Sequence, residues 1–276
     1  MWLFLLILYF KGISFLLMKN YKRALPYFEK VTHELPRFSK AYFNLIDCYT
    51  ALKRYEEALK TCERLINMKP RLPKAYLYLG IIRFDSEGED ICESIEAFKK
   101  AISINPNYAD AYYHLGNSYG AMGCLDEAIE ALRQVTHIEP DADHAYYLMW
   151  RIYQHLERYS EAINCCNEMI RINSKDYEAY FFLGRTYIKL KQYEKAIEAI
   201  KEVIRIKLNC ERVGFNEIIT SRVVEYPDAG FLTGKERIGV NGIITSRGPD
   251  IIKEVIKPEF DDRPDGWNVH FVLGKL

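Results

Sequence analysis

The sequence predicts an all-α fold, a solenoid of about six stacked helical hairpins followed by a small C-terminal appendage. The first observation is a 34-residue period: Tyr112–Gly116 recurs two periods later as Tyr180–Gly184, and earlier as Tyr42–Ile46. The second is that each period contains two stretches with apolar residues at helical spacing. The third is a proline near the end of most periods, where it stops the second helix. Hairpins of this length cannot bury their apolar faces alone, so we expect them to stack.

The period divides residues 1–210 into six repeats, each with a first and a second helix. Five repeats have 34 residues, and the third has two more, which we place in an acidic loop between its helices at residues 85–90. The repeats cover residues 5–38, 39–72, 73–108, 109–142, 143–176 and 177–210.

Small residues at two positions of the repeat predict close packing between its two helices. Position 8 holds Gly12, Gly80, Gly116 and Gly184, and position 20 holds Ala24, Ala58, Ser94, Ala128, Ala162 and Ala196. Ile46 and Trp150 depart from the small residue at position 8. Because an indole is much larger than the gap a glycine leaves, we expect Trp150 to displace a helix.

The period ends at residue 210, and residues 211–276 have a different character. Residues 211–222 recur with few changes as residues 236–247, an internal duplication. Runs rich in Val, Ile and Thr around Asn241-Gly242 indicate strands joined by a tight turn. We therefore predict a small α+β or irregular appendage.

The pattern of aromatic, Leu, Gly, Tyr, Ala and Pro described above resembles the tetratricopeptide repeat. Six copies cover about three quarters of the chain. The resemblance implies a right-handed superhelix whose first helices line a concave groove. It also implies a protein that binds a peptide or another protein in that groove.

In the tetratricopeptide family, positions 2, 5, 9 and 12 of the repeat line the groove. Position 5 is apolar or aromatic in every repeat, which fits either a packing seam or a row of flat anchors for a ligand. The resemblance implies these groove residues: Phe43, Asn44, Lys74, Leu77, Tyr113, Asn117, Tyr147, Arg151, Phe181 and Arg185.

Charge and cysteine usage restrict the class of function. The chain has 38 Lys plus Arg and 38 Asp plus Glu, so no basic excess predicts nucleic-acid binding. Its seven cysteines lack metal-ligand spacing, and we interpret them as thiols of a cytoplasmic protein. His114 and His144 lack further ligands in the sequence, so we predict neither a metal nor a cofactor.

Residues 1–18 are almost entirely apolar and resemble a membrane anchor at first sight. Lys11 lies near the middle, however, and no cleavage site of small residues follows. Gly12 also lies one period before Ile46, which places the segment in register as the first helix of the first repeat. We expect Trp2, Leu3 and Leu6 to be partly exposed there. Membrane anchoring through residues 1–18 remains the less favoured alternative.

We therefore expect a non-catalytic scaffold or adaptor that binds a peptide or partner protein in the groove. No catalytic residues are assigned, because the chain has no nucleophile elbow, P-loop or dinucleotide-binding motif. One alternative is the specificity arm of an enzyme whose catalytic part is the tail or another chain. Another is a homo-oligomer that assembles through the apolar N-terminal helix.

Overall fold

The computed structural model describes residues 2–86 and 91–213, which form twelve α-helices and no strand. The helices are α1 Trp2–Leu17, α2 Tyr21–Glu34, α3 Ser39–Ala51, α4 Tyr55–Met68, α5 Pro73–Asp85, α6 Ile91–Ile104, α7 Ala109–Ala121, α8 Leu125–Ile138, α9 Asp143–His155, α10 Tyr159–Ile172, α11 Tyr177–Lys189 and α12 Tyr193–Val213. Each predicted repeat contributes two helices, which confirms the all-α fold. Residues 211–213 of the predicted appendage continue α12, and the rest of it lies outside the described residues.

The described residues divide into two compact units, residues 2–161 and 162–213. In the first unit the two helices of each hairpin pack on each other, and each second helix packs on the first helix of the next repeat. Consecutive first helices also touch, from α1 through α3, α5 and α7 to α9. These five helices form what we call the first-helix layer. In the second unit α11 packs along α12.

A single residue with positive φ ends the first helix in most hairpins. This residue is Lys19, Lys53, Gly123, Glu157 or Lys191, with φ between 54° and 78°. In the second hairpin the amide of Lys53 donates to the Thr50 carbonyl and the amide of Arg54 donates to the Tyr49 carbonyl. These bonds satisfy carbonyls that the helix end leaves without partners. Only Gly123 adopts this conformation without a steric cost.

The glycine at position 8 faces a large side chain on the second helix of the same hairpin. A Cβ atom added to Gly12 would lie 2.9 Å from the ring of Phe28, and one added to Gly116 would lie 2.9 Å from Leu132. Both distances are too short for real atoms, so the glycine is required for this packing. The same relationship places Gly12 and α1 in the first repeat, as the sequence predicts.

In the second hairpin the large side chain lies on the first helix and the small one on the second helix. Ile46 takes the glycine position, and Cys62 takes the position of the large side chain; both are fully buried in one cluster. Trp150 is also buried, in the regular helix α9, with its ring stacked 6.0 Å from that of Tyr147. In the sequence, Cys166 has the same repeat position as Cys62. Both repeats with a large residue at position 8 therefore carry a small one sixteen residues later.

Candidate functional site

The first-helix layer contains eight of the ten residues that the resemblance assigns to the groove. Asn44, Tyr113, Tyr147 and Arg151 are partly exposed, and Lys74 is exposed. Phe43, Leu77 and Asn117 are buried, with 8 %, 5 % and 8 % of their surfaces exposed. Most of the surface of each of these three side chains packs against the chain itself, and little of it can reach a ligand. The remaining two residues belong to the second unit.

An aromatic and charged cluster joins α3 to α5. The Phe43 and Tyr78 rings lie 5.0 Å apart, and the Lys74 ammonium lies 4.9 Å from the first ring and 5.5 Å from the second. The Tyr78 hydroxyl donates to the Asp47 carboxylate. Burial raises the pKa of Asp47, whereas this hydrogen bond and the Lys74 charge lower it. The cluster therefore holds a partly desolvated carboxylate beside a cation.

Tyr78 is a member of this cluster that the list of groove residues omits. Its hydroxyl bonds Asp47, and burial raises the pKa of Tyr78 above its usual value, with Asp47 adding to the shift. Tyr108, at the end of the same repeat, and Asp110 of the next repeat act on it in the same direction. Tyr78 occupies position 6, which is outside the positions 2, 5, 9 and 12 that line the groove in the family, so its aromatic side chain gave no signal.

A second cluster joins α7 to α9. The Tyr113 ring packs edge-on against that of His144, with centroids 4.7 Å apart. On α9 the Arg151 guanidinium lies 5.8 Å from the Tyr147 ring. Burial raises the pKa of Tyr113, and the positive charge of Arg151 opposes that shift. Tyr113, Tyr147 and Arg151 thus form a close group of two aromatic rings and one cation, all partly exposed.

His114 lies beside this second cluster but is held as a neutral imidazole. Its ring stacks on Phe98 with centroids 5.6 Å apart. Burial lowers the pKa of His114 to about 4; Asp110 opposes this shift and His144 adds to it. No group of three or more potential metal ligands occurs among residues 2–86 and 91–213.

Two asparagines of the first-helix layer differ in their hydrogen bonding. The Asn44 amide donates to the Tyr9 hydroxyl at 3.1 Å, which links α3 to α1. The Asn117 carbonyl oxygen is buried and has no hydrogen-bond partner within the described residues. Asn44 therefore ties two helices of the layer together, whereas Asn117 keeps an unused acceptor.

The remaining two predicted residues, Phe181 and Arg185, lie on α11 in the second unit, and both are partly exposed. The Phe181 ring lies 6.2 Å from that of Phe182, which is buried. Gly184 faces Ile200 of α12 at 3.1 Å for an added Cβ atom, so this hairpin packs in the same way as the first.

Solved structures with a similar fold include tetratricopeptide repeat proteins. The MamA protein is 20 % identical over 66 % of this chain and 97 % of its own, with a TM-score of 0.57. TTC0263 from Thermus thermophilus, a thermophilic repeat protein of this class, is 21 % identical over 67 % of this chain and 99 % of its own, with a TM-score of 0.55. YrrB, described as having an unusual peptide-binding site, is 19 % identical over 67 % of this chain and 97 % of its own, with a TM-score of 0.52. No curated protein sequence matches significantly.

Models of the tetratricopeptide repeat match the sequence along most of its length. They cover residues 15–79, 87–123, 109–142, 143–176 and 177–210. The last three ranges coincide with repeats four, five and six as the period defines them. The chain therefore belongs to the tetratricopeptide repeat family.

Proposed function

We propose that four helices of the first-helix layer, α3, α5, α7 and α9, bind a peptide or an extended segment of a partner protein. The observation that carries the proposal is that α5 and α9 each place a cation beside a partly exposed ring of the same helix. Lys74 lies over Tyr78, and Arg151 lies over Tyr147 beside Tyr113. Rings of this kind give large contact area at low entropic cost, and cations beside them bind carboxylates or carbonyl groups.

The charges of the layer favour a ligand of mixed sequence. Asp47 and Asp110 lie near Tyr78, whereas Lys74 and Arg151 supply positive charge. A purely acidic or purely basic ligand would meet like charge somewhere along this face. YrrB carries a peptide-binding site on the same fold, which supports the class of ligand proposed here and no particular sequence.

The buried groove residues pack under the exposed rings of the proposed binding face. Phe43 holds the Tyr78 ring at 5.0 Å, and Leu77 packs in the core of the third and fourth hairpins. Their replacement would disturb the positions of the exposed rings without removing a direct contact. The exposed members are therefore the informative ones to change.

The test uses selection from a phage-displayed library of random peptides on the purified full chain. Peptides recovered from the selection are then measured against Lys74→Glu, Arg151→Glu and Tyr113→Ala. We expect each substitution to weaken binding by roughly tenfold, the effect of losing an important interface residue. Circular dichroism of each variant checks that its helices are retained.

The matched control is Lys100→Ala with Glu127→Ala, two exposed residues on second helices. This control should bind the selected peptides as the natural sequence does. Equal loss in control and test variants, or no loss in either, would contradict the proposal. Binding lost only together with helicity would assign the three residues to packing instead.

The non-catalytic role and the cytoplasmic compartment are parts of the same proposal. All six cysteines whose side chains are described are free thiols, and Cys48, Cys62, Cys165 and Cys166 are buried. The competing hypothesis, a specificity arm of an enzyme, predicts that the selected peptides resemble a substrate that is chemically altered on incubation. Mass spectrometry of the peptides before and after incubation distinguishes the two.

A further inference from the structure

Helix α1 carries a concentration of exposed apolar side chains found nowhere else in the described chain. Trp2 and Leu3 expose 72 % and 71 % of their surfaces. Among the described residues, eight of the ten large hydrophobic side chains that are exposed lie between residues 2 and 18: Trp2, Leu3, Phe4, Leu6, Ile7, Phe10, Leu17 and Met18. An apolar surface of this density marks an interaction site.

The exposed residues form one side of the helix. Leu3, Ile7 and Phe10 follow each other at spacings of four and three residues, and Leu17 continues the stripe two turns later. Leu5 and Gly12 lie on the other side of α1 and are buried. No described helix is long and apolar enough to cross a membrane.

Basic side chains border this stripe. They are Lys11 of α1, Lys19 of the turn, and Lys22, Arg23 and Lys30 of α2, all exposed and without an ion pair in the part of the chain that the structure describes. The Lys30 ammonium lies 5.3 Å from the Phe4 ring, and that of Lys11 lies 5.7 Å from the Tyr27 ring. Residues 5–38 contain six Lys or Arg and two Glu, although the whole chain is balanced at 38 of each sign.

A surface depression between α1 and α2 combines both kinds of group. Its lining is apolar at Leu8, Phe15, Pro26 and Tyr27 and basic at Lys22, Arg23 and Lys30. Phe15 and Tyr27 stack with ring centroids 5.7 Å apart. The depression therefore suits an amphiphile with a negatively charged head and an apolar body.

We propose that α1 docks this protein on the surface of an anionic lipid bilayer. The helix lies in the membrane interface with Leu3, Ile7 and Phe10 among the acyl chains. Lys22, Arg23 and Lys30 contact the headgroup phosphates. Apolar insertion combined with electrostatic attraction is the binding mode of interfacial helices. This inference is independent of the peptide-binding face, which lies on other helices.

The charges distinguish a bilayer from a second copy of the chain as the occupant. In a two-fold dimer the same surface meets itself, so the basic side chains of both copies would be brought into one interface. Like charges brought together at an interface oppose association. An anionic membrane instead complements all five basic side chains.

The test is flotation of the purified full chain with vesicles of phosphatidylcholine alone and of phosphatidylcholine mixed with phosphatidylserine. We expect binding to the mixed vesicles that weakens as salt is added, because salt screens charged groups at a surface. Lys22→Gln combined with Arg23→Gln should lower the partition coefficient by roughly 25-fold, since each basic residue contributes a factor of about five. Ile7→Ser with Phe10→Ser should reduce binding by roughly tenfold or more through lost apolar burial.

Matched controls use the same changes elsewhere: Lys100→Gln with Lys201→Gln, and Met68→Ser with Met122→Ser. All four control residues are exposed, and their variants should float as the natural sequence does. Equal binding to neutral and anionic vesicles, or equal loss in controls, would overturn the proposal. Absence of flotation would also overturn it, and a dimer in light scattering that Ile7→Ser with Phe10→Ser dissociates would then identify the second copy as the occupant.

Discussion

The ring of Phe98 occupies the space that a Cβ atom on residue 80 would need, and residue 80 is a glycine. The hairpins built on Gly12, Gly116 and Gly184 repeat this relationship with Phe28, Leu132 and Ile200. In the second hairpin, Ile46 and Cys62 fill the same two positions with the sizes exchanged. The space between the two helices is therefore filled in every case, but the large side chain comes from the second helix in some hairpins and from the first helix in the second hairpin.

This exchange predicts a rescue. Gly80→Ile should lower stability by about 2 kcal/mol or more, because the added side chain overfills a packed core. Phe98→Cys alone should cost about 3 kcal/mol, because it leaves a cavity. The double variant reproduces the pair found at Ile46 and Cys62, so its cost should fall below the sum of the two by at least about 1 kcal/mol. Urea unfolding followed by circular dichroism measures all three. Additive costs would show that the two side chains do not share the space.

Lys53→Gly should stabilise the protein. Lys53 has a φ of 57°, a conformation that costs a residue with a side chain about 1 kcal/mol and costs glycine almost nothing. The expected gain of about 1 kcal/mol appears as a higher melting temperature. Lys53→Ala is the control, since it removes the charge but keeps the backbone cost.

The converse change tests the same physics at Gly123. This residue has a φ of 78°, and no atom lies within 4 Å of the position a Cβ would take. Gly123→Ala should therefore destabilise by about 1 kcal/mol through backbone strain alone. An unchanged melting temperature would mean that the turn adjusts its φ at no cost.

His114 should make stability depend on pH. Burial lowers its folded-state pKa to about 4 from the ordinary 6.5. Between these values the unfolded chain binds a proton that the folded chain excludes, so stability falls as the pH drops from 6.5 to 4 and is constant above that window. The loss is at most about 3 kcal/mol. His114→Phe keeps the ring stacked on Phe98 but removes the titration.

Denaturant unfolding at several pH values compares the natural sequence with His114→Phe. The difference between the two isolates His114, because Asp110, His144 and the other titrating groups are present in both. His137→Phe, at an exposed histidine of α8, is the control and should retain the slope between pH 6.5 and 4. Parallel curves for the natural sequence and His114→Phe would contradict the prediction.

Cysteine alkylation should separate two classes of thiol. Burial raises the pKa of Cys48 and of Cys62 to about 12, and the Cys62 thiol donates to the Ala75 carbonyl at 3.1 Å. Cys92 is exposed. A maleimide reagent should modify Cys92 within the time that leaves Cys48 and Cys62 intact, as peptide mass spectrometry can show. All of them should react in urea; fast modification of Cys62 without urea would mean that the hairpin opens.

The sequence predicts the hairpins well because their signals are local. The 34-residue period and a small residue at position 20 locate the helices of every repeat, and most repeats add a glycine at position 8 and a closing proline. The exposure of Trp2, Leu3 and Leu6 also follows from their register in the first repeat, and the structure confirms it. Residues 211–276 carry no such period, and the duplication predicted there lies outside the described residues.

The candidate site is less predictable, because the exposure of its residues depends on how each helix is rotated about its own axis. Phe43 and Tyr113 share position 5, yet Phe43 is buried under Tyr78 and Lys74 while Tyr113 is partly exposed. Side chains of the neighbouring repeat determine which rings are covered. The position of a residue within its own repeat therefore does not predict its exposure. Trp150 shows the same limit: its ring is buried and stacks on Tyr147 within the regular helix α9, although position 8 holds glycine in four other repeats. Partner contact by the predicted residues remains a prediction.

The exchange of size between Ile46 and Cys62 also bears on how such a chain can change by recombination. A crossover between hairpins leaves each matched pair intact, so whole repeats can be duplicated or lost without a new clash. A crossover within a hairpin can place Ile46 opposite Phe98, or Gly80 opposite Cys62, and produce a collision or a cavity. In the described repeats the hairpin is therefore the smallest unit that can be exchanged without disturbing this packing, because the fit depends on residues of both helices.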